Sequence, residues 1–301
     1  MSSTPLPDPS PNVHSLWVEV GQRSLLRLRG PDALRYLNGQ VSQDLRGLEP
    51  GHLVMACFLN RHGRIEAHVG IHRQLDDFFI DVASEHAERL VARVEKYIIA
   101  DDVEAALLQS RSRILYEWRL GPTLPMADPS SAATMLRSTR FQHGGREAWL
   151  PTDADLPQGA VLLGQQAKDW LILNGVPDAV AEFDHELFPQ ECGLVDQTVD
   201  FHKGCYLGQE VVSRIKTKGK VPRRLVWWQA AQCPEAEGEL ALWQDGARLG
   251  SVTRYLSRSD CGSTGFALIS ASVANFDSVL IGAERGLRIP ALLTLAHLPK
   301  P

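Results

Sequence analysis

The spacing of apolar residues in the first part of the chain predicts a strand followed by a short helix. Residues 25–28 form an apolar run typical of a strand. Pro31 suits the first turn of the next helix, because an N–H group there has no acceptor within the helix. Leu34 and Leu37 share one face of that helix, and Gly39 is predicted to end it.

Residues 53–72 predict two strands joined by a tight turn at 60–63, where asparagine and glycine are favoured turn residues. Another strand is predicted at 78–82, then a helix with Ser84 as its N-cap. The apolar residues of that helix share one face: Leu90, Val91, Val94 and Ile98. A strand at 101–108 completes an order typical of an α+β sandwich of ferredoxin-like type.

The second part of the chain changes from mixed to β-rich character. Residues 119–160 carry few signals, and a helix is then predicted that Gly175 and Pro177 close. Residues 221–301 read as short strands separated by turns, with Asp245 and Gly246 as a strong hairpin signal. We therefore predict a separate small β-barrel or sandwich there.

Composition narrows the class of protein. The 301 residues carry a net charge of −5 and 22% charged residues, which favours neither general nucleic-acid affinity nor disorder. Residues 1–12 are rich in proline and have no apolar segment of a signal peptide, so we predict a disordered tail. No run of eighteen apolar residues predicts a membrane span. The five cysteines form no CxxC pair, which favours a reduced, cytoplasmic protein without a metal site of its own.

Cys205 is the main candidate for chemistry. It lies in the stretch HKGCYLGQE, between Gly204 and Tyr206, two residues after Lys203 and shortly before a helix predicted to begin near Gly208 and to end at Gly219. Nearby positive charge and a helix N-terminus favour the reactive thiolate. A free cysteine is more commonly a small buried residue, so local chemistry leaves both interpretations open.

A cysteine–histidine hydrolase is the rival interpretation of this thiol. His202 is too near in sequence to act as its base, which leaves three histidines as partners: His62, His143 and His185. No third, orienting residue is marked in the sequence. The basic run at 214–224 suits phosphate or a polyglutamate tail, although such runs are usually solvated.

The stretch HKGCYLGQEVVSR followed by GKVPRRL resembles the signature of the YgfZ-type folate-binding proteins, relatives of the aminomethyltransferase (T-protein) of the glycine cleavage system. Other pieces fit in order: GPDALRYLNGQVSQDL, FLNRHGRI, KYIIADDVE and NGVPDAVAEFDHELFPQE. The resemblance covers residues 25–225, with a weaker likeness in the terminal β region.

This resemblance implies two intertwined α+β units around a tetrahydrofolate pocket, namely 13–50 with 156–220 and 51–155, followed by a β-barrel at 221–301. It also implies a folate-dependent accessory factor for iron–sulfur enzymes, including those that modify tRNA. The expected cofactor is tetrahydrofolate or a derivative. Iron–sulfur proteins or their assembly factors are the expected partners, with no direct nucleic-acid or membrane contact.

The resemblance also assigns residues. Cys205 and Lys203 are the predicted catalytic residues, and the other motif positions are Gly204, Tyr206, Gly208, Gln209 and Glu210. The residues assigned to folate binding are Asn60, Glu147, Trp170 and Gln190. A carboxylate such as Glu147 suits the paired N–H donors of a pterin ring.

Two departures from the family weigh against aminomethyl transfer itself. An aspartate that lies near the reactive folate nitrogen in the aminomethyltransferases is replaced here by Ala67 or His68, and methylene transfer needs a base in reach of the amine. Leu171 stands where an arginine is frequent. Three hypotheses follow: a folate-binding iron–sulfur accessory protein, a folate-dependent one-carbon transferase, and an interaction module without folate.

Overall fold

Two sheets and five α-helices make up the described part of the computed structural model, which confirms the mixed α+β class. The predicted tail, Cys261, and the candidate partners His143 and His185 lie outside the described residues. The described ranges are 15–108, 112–119, 133–141, 145–156, 161–183, 187–234, 238–258, 262–284 and 287–295.

The first sheet has ten strands and curls back on itself. Its order is β10-β1-β7-β9-β8-β3-β4-β5-β2-β6, and a further pairing of Arg23 with Ser112 joins β2 to β7, so that seven strands form a ring. Among the strands in the described ranges, two pairings are parallel, β1 with β10 and β3 with β8. The strands are β1 (Ser15–Glu19), β2 (Arg23–Arg29), β3 (His52–Leu59), β4 (Ile65–Gln74), β5 (Asp77–Ala83), β6 (Glu104–Leu107), β7 (Ser112–Arg119), β8 (Thr134–Ser138), β9 (Gly145–Pro151) and β10 (Val161–Leu162).

Five helices accompany this sheet: α1 (Ala33–Gln40), α2 (Ala87–Tyr97), α3 (Gly164–Leu173), α4 (Val195–Thr198) and α5 (Gln209–Lys218). Helices α1 and α2 cover one face of the sheet and bury Leu37 and Val94 in a shared apolar core. The hydroxyl of Tyr36 donates a 2.6 Å hydrogen bond to the carbonyl oxygen of Val94, which fixes the two helices against each other.

Two predicted helix ends differ from the structure. Gly39 lies inside α1, which continues through Gln40, because a single glycine weakens a helix without terminating it. Ser84 is not an N-cap: it begins a 3-10 turn, Ser84–His86, and its hydroxyl accepts a hydrogen bond from Ser24 of the neighbouring strand. Helix α2 then begins at Ala87 without a side-chain cap.

Strand β4 shows why the two faces of the first sheet differ. Ala67, Val69 and Ile71 belong to the apolar core under α1 and α2. His68 and His72 alternate with them and project to the other face of the sheet. Ala67 and His68 are the two candidates for the position of the family's aspartate. Because side chains alternate along a strand, they lie on opposite faces of the sheet.

The β-rich C-terminal region forms a second sheet, as its turn spacing predicts. Its order is β16-β15-β12-β13-β14-β11-β17, and it shares no strand with the first sheet in the described parts of the chain. The strands are β11 (Arg223–Ala230), β12 (Ala241–Gln244), β13 (Ala247–Arg258), β14 (Gly262–Ser270), β15 (Leu280–Gly282), β16 (Ile289–Pro290) and β17 (Leu292–Leu295). The predicted turn at Asp245 and Gly246 joins β12 to β13, with both residues at positive φ.

Candidate functional site

The cysteine motif forms an exposed loop that runs directly into α5. Gly208 is the N-cap of this helix, with φ +85°, and Gly219 ends it with φ +66°, as the sequence predicts. A Cβ atom on Gly208 would lie 2.6 Å from the carbonyl oxygen of Asn60, so only glycine fits there. The turn at residues 60–63 therefore packs against the start of α5.

Two residues assigned to folate binding lie on this side of the molecule. The side-chain oxygen of Asn60 accepts hydrogen bonds from the backbone N–H groups of His62 and Arg64, at 2.9 and 3.1 Å, and so stabilises the turn. Gln190 donates from Nε2 to the carbonyl oxygen of Val212 in α5, at 3.0 Å. Both side chains thus support the motif helix through these contacts.

Lys203 anchors the motif loop to the end of α1. Its ammonium group donates hydrogen bonds of 2.7, 2.8 and 2.7 Å to the carbonyl oxygens of Asn38, Val41 and Gln43. It also lies 5.2 Å from the ring centroid of Tyr206. Burial lowers the pKa of Lys203 to about 8. An ammonium has three N–H donors, so these three carbonyl groups satisfy all of them.

Cys205 differs from the buried cysteines of the same region. It is exposed and not in a disulfide, whereas Cys57 and Cys192 are buried and also free. Burial raises the pKa of Cys57 to about 12 and that of Cys192 well above its usual value, which makes both thiols inert. Neither Cys192 nor Cys205 forms a disulfide, and in the described residues only Cys233 is a second exposed thiol.

The remaining motif side chains have contrasting environments. Tyr206 is 7% exposed and packs in the apolar cluster that also holds Cys57 and Cys192. Gly204 and Glu210 are exposed, and Gln209 is half-buried in the first turn of α5. Solvent can therefore reach the motif loop at Cys205, while the buried side chain of Tyr206 packs the loop against the apolar cluster.

A separate cavity of about 350 Å³ lies between the first sheet, α3 and the second sheet. Phe141, Leu171 and Phe183 contribute apolar walls, and Arg254 reaches the cavity from β13. Arg254 is held there by Glu182, with 2.9 Å between its Nη2 and the carboxylate. None of residues 202–210 lines this cavity, so motif loop and cavity are two distinct places in the molecule.

Trp170 is not itself among the residues that line this cavity, although the next residue in α3, Leu171, is. Its ring packs edge-on against Trp118, with 4.6 Å between centroids, and Trp118 in turn contacts Phe141 at 5.7 Å. A ligand in the cavity would therefore alter the surroundings of this aromatic group.

A buried ionic network forms one wall of the cavity. Arg140 bonds to the carboxylates of Asp81 and Glu147, and Arg23 lies 2.7 Å from Asp81. Although burial alone would raise the pKa of Asp81, Arg140 and Arg23 lower it to about 2. Charged groups so deeply buried are stable only when paired.

Glu147 is occupied by this network. Its two oxygens accept hydrogen bonds from Ser138, Arg140 and Trp149, at distances of 2.6 to 3.2 Å. It is fully buried and is not among the residues that line the cavity. The expected direct contact with the paired N–H donors of a pterin is therefore not supported by this arrangement. A signal for the network was present in FFIDV, where Asp81 interrupts an apolar strand.

His68 lines the cavity, whereas Ala67 lies in the core on the opposite face. The imidazole packs edge-on against Phe183, with 5.2 Å between centroids. Burial, reinforced by Arg140 and Arg23, lowers the pKa of His68 to about 3, so the ring is neutral near pH 7. Two carboxylates that no motif marked, Glu85 and Asp178, also line the cavity.

The comparison with protein-family models finds no match for this chain. The fold is similar to that of the glycine cleavage system aminomethyltransferase T from Bartonella henselae, with a TM-score of 0.72 and 17% identity. That likeness covers 95% of this chain and 85% of the other. The chain therefore has the fold of the aminomethyltransferases.

Sequence similarity to curated proteins identifies the relatives of this chain more closely than the fold does. The tRNA-modifying protein YgfZ of Serratia proteamaculans is 28% identical over 273 residues, 82% of this chain and 82% of that protein. The mitochondrial iron–sulfur cluster assembly factor IBA57 homologs of Mycosarcoma maydis and Pyricularia oryzae are 28% and 30% identical. Those matches take in 70% and 68% of this chain but only 57% and 54% of the relatives, so the chain spans little more than half their length. The predicted resemblance is confirmed: this chain is a homologue of the proteins named YgfZ and IBA57.

Two kinds of feature are absent from the described residues. No helix in the described ranges is long and apolar enough to cross a membrane. The same residues contain no group of three or more histidine, cysteine, aspartate or glutamate side chains placed to hold a metal ion.

Proposed function

We propose that this protein binds tetrahydrofolate, or a derivative, and supports the assembly or repair of iron–sulfur clusters through Cys205. Its action would be cytoplasmic, and tRNA-modifying enzymes that contain such clusters would depend on it. We further propose the domain division of the family, with two intertwined ferredoxin-like units at 13–220 and a β-barrel at 221–301. The single observation that carries the proposal is the exposed, unpaired Cys205 on an anchored loop, in a homologue of iron–sulfur assembly factors.

The motif loop suits transient binding of an iron–sulfur cluster by the thiol of Cys205. Lys203 fixes the loop through backbone carbonyl groups, and Gly208 allows it to enter α5, so the thiol is held at the surface. One cysteine supplies only one of the four ligands that a cluster usually takes. The remaining ligands would come from an iron–sulfur partner, which makes a complex with that partner part of the proposal.

The cavity is the proposed folate site. Its volume of about 350 Å³ lies within the range of small-molecule pockets, and its walls combine apolar rings with a few polar groups. None of the four residues assigned to folate lines this cavity, but Trp170 is connected through Trp118 to the lining residue Phe141, and Glu147 holds Arg140 in the cavity wall. Asn60 instead stabilises the turn at 60–63, and Gln190 binds α5, both on the side of the cysteine motif.

The thiol is tested by exchanging two exposed cysteines one at a time. Cys205→Ala and Cys233→Ala are expressed in cells that lack the protein, and iron–sulfur enzyme activity is measured under oxidative stress. We expect Cys233→Ala to restore activity and Cys205→Ala to fail, with both variants equally abundant because each thiol is exposed. Equal rescue by the two variants would overturn the role of Cys205.

Folate binding is tested by titration with tetrahydrofolate, followed by tryptophan fluorescence and thermal unfolding. A ligand at one hundred times its Kd should stabilise the fold by about 2.7 kcal/mol. Because Trp170 and Trp118 pack in one aromatic group with Phe141, which lines the cavity, a saturable fluorescence change is expected. Glutamate alone serves as the control ligand, and a flat response to tetrahydrofolate would overturn this part.

A folate-dependent one-carbon transferase is the second candidate, favoured by the carboxylates of Glu85 and Asp178 in the cavity wall. Either group would act as the base for a bound amine. Turnover of 5,10-methylenetetrahydrofolate with an amine, lost in Glu85→Gln or Asp178→Asn, would support it. Absence of turnover with the intact protein excludes it.

A further inference from the structure

Two polar atoms of the cavity wall have no hydrogen-bond partner among the described residues: Nε2 of His68 and Nε of Arg23. Both atoms are enclosed, and Arg23 is 5% exposed. Buried polar groups in proteins are nearly always hydrogen-bonded, and those that are not call for an explanation. A ligand that fills the cavity would supply the partners.

The two side chains lie on the same face of three neighbouring strands. Arg23 in β2 pairs with Ala83 in β5. Gly70 in β4 pairs with Asp81 in β5, and period-two alternation places His68 on the face of Gly70 and Ala83 on the face of Asp81. Arg23, His68 and Ala83 all line the cavity. The short side chain of Ala83 leaves space above this face for a flat molecule.

Contacts within the protein hold both groups in place before any ligand arrives. Nη2 of Arg23 donates to the side chain and the backbone carbonyl of Asp81, at 2.7 and 3.2 Å, which fixes the direction of its Nε–H. His68 is fixed by its edge-on contact with Phe183. Such preorganisation lowers the cost of binding, because the groups need not be ordered by the ligand.

The charges of this wall disfavour a cationic ligand edge. Arg23 and Arg140 line the cavity together with His68, and the carboxylates of Asp81 and Glu147 are already paired with these guanidinium groups. A cationic group placed against this wall would meet two guanidinium cations whose carboxylate partners are already engaged. A neutral imidazole, in contrast, offers one hydrogen bond at Nε2 as either acceptor or donor.

We propose that Arg23 and His68 together bind the uncharged polar edge of a flat heterocycle, with the ring lying over Ala83. Nε–H of Arg23 donates to a ring carbonyl or ring nitrogen, and Nε2 of His68 makes the complementary hydrogen bond to a neighbouring ring atom. Phe141 and Leu171 supply apolar contacts from the other walls. This inference rests on the proposed function, for which it places the pteridine ring of the folate against Arg23 and His68.

The experiment measures the Kd of tetrahydrofolate for the full chain and four variants. His68→Phe keeps an aromatic ring against Phe183 but removes the hydrogen bond, and should weaken binding by about tenfold. His68→Gln keeps a polar group and should stay within about threefold. Arg23→Lys keeps the charge beside Asp81 but loses Nε–H, and should weaken binding as His68→Phe does. His62→Phe, an exposed histidine outside the cavity, is the matched control and should not change the Kd.

A second readout separates ring recognition from a general loss of structure. The nitrogen resonances of the His68 imidazole should shift when tetrahydrofolate binds and stay unchanged with p-aminobenzoylglutamate, which lacks the pteridine. If the wild-type chain does not bind tetrahydrofolate, the proposed folate site and this inference both fall. If it binds and His68→Phe binds equally well, the proposed site stands and the pairing of Arg23 with His68 is wrong.

Discussion

The ammonium of Lys203 lies 2.8 Å from the carbonyl oxygen of Val41, directly beyond the end of α1. Because 162 residues separate the two in the chain, this hydrogen bond ties the motif loop to the N-terminal part of the sheet region. The neighbouring carbonyl groups of Asn38 and Gln43 complete the site. The lysine of the cysteine motif thus positions the loop that carries Cys205.

Lys203→Met should destabilise the protein by about 2–4 kcal/mol, because it leaves three carbonyl groups without their charged donor. Urea unfolding followed by tryptophan fluorescence measures the change. Lys218→Met, at an exposed position with the same chemistry, should alter the free energy of unfolding by less than about 0.5 kcal/mol. Equal midpoints for the two variants would contradict the anchoring role.

Gly208→Ala and Gly219→Ala form a matched pair at the two ends of α5. Both positions have positive φ, but only a Cβ on Gly208 meets another atom, at 2.6 Å from Asn60 O, while Gly219 has free space. We expect about 1 kcal/mol of backbone strain at Gly219 and about 1–3 kcal/mol more at Gly208. Thermal unfolding of the two variants provides the measurement, and similar losses would show that the contact with Asn60 is unimportant.

Arg140→Met should be among the most damaging single substitutions in the chain. It leaves the buried carboxylates of Asp81 and Glu147 without this cation, at an expected cost of about 3–5 kcal/mol. Arg137→Met on the neighbouring strand β8, where the side chain is exposed, is the control. Adding Glu147→Gln to Arg140→Met should recover part of the loss, since it removes one of the stranded charges. A double variant no more stable than the single one would contradict this account of the network.

Acid should destabilise the fold from about pH 6.5 downwards, before most carboxylates titrate. Burial lowers the pKa of His72 to about 4 and that of His68 to about 3. Between these values and the unfolded value near 6.5, the unfolded chain binds protons that the folded chain does not. The stabilisation that depends on these neutral histidines is therefore complete above pH 6.5. As the pH is lowered below 6.5, the free energy of unfolding decreases by up to about 1.4 kcal/mol per pH unit for each histidine.

Denaturant unfolding at a series of pH values between 4 and 7 measures this slope. His72→Phe should flatten it while retaining the stack on Phe79, whose ring is 5.0 Å away. His62→Phe, at an exposed position, should leave the slope unchanged. An identical slope in wild type and His72→Phe would show that this histidine is not kept neutral by the fold.

Local signals in the sequence were sufficient for much of the secondary structure. The hairpin between β3 and β4, the limits of α5 at Gly208 and Gly219, and the turn at Asp245 follow from residues whose backbone preferences act within a few positions. The predicted helix end at Gly39 was wrong because a single glycine only weakens a helix. The predicted N-cap at Ser84 was wrong because its hydroxyl accepts a hydrogen bond from Ser24 of β2 and α2 begins later, at Ala87.

By itself, the sequence determined the α+β class, the cysteine motif before a helix and the resemblance to the YgfZ-type proteins. Only the tertiary structure decided that Lys203 is bound to carbonyl groups near Val41, that Glu147 is held by Arg140, and that His68 rather than Ala67 faces the cavity. The contact of Lys203 depends on a partner far away in the chain, and the pair of Glu147 with Arg140 depends on burial. No local sequence pattern encodes either of them. Strand alternation sets Ala67 and His68 on opposite faces, but the packing of α1 and α2 against one face determines which of them meets the ligand space.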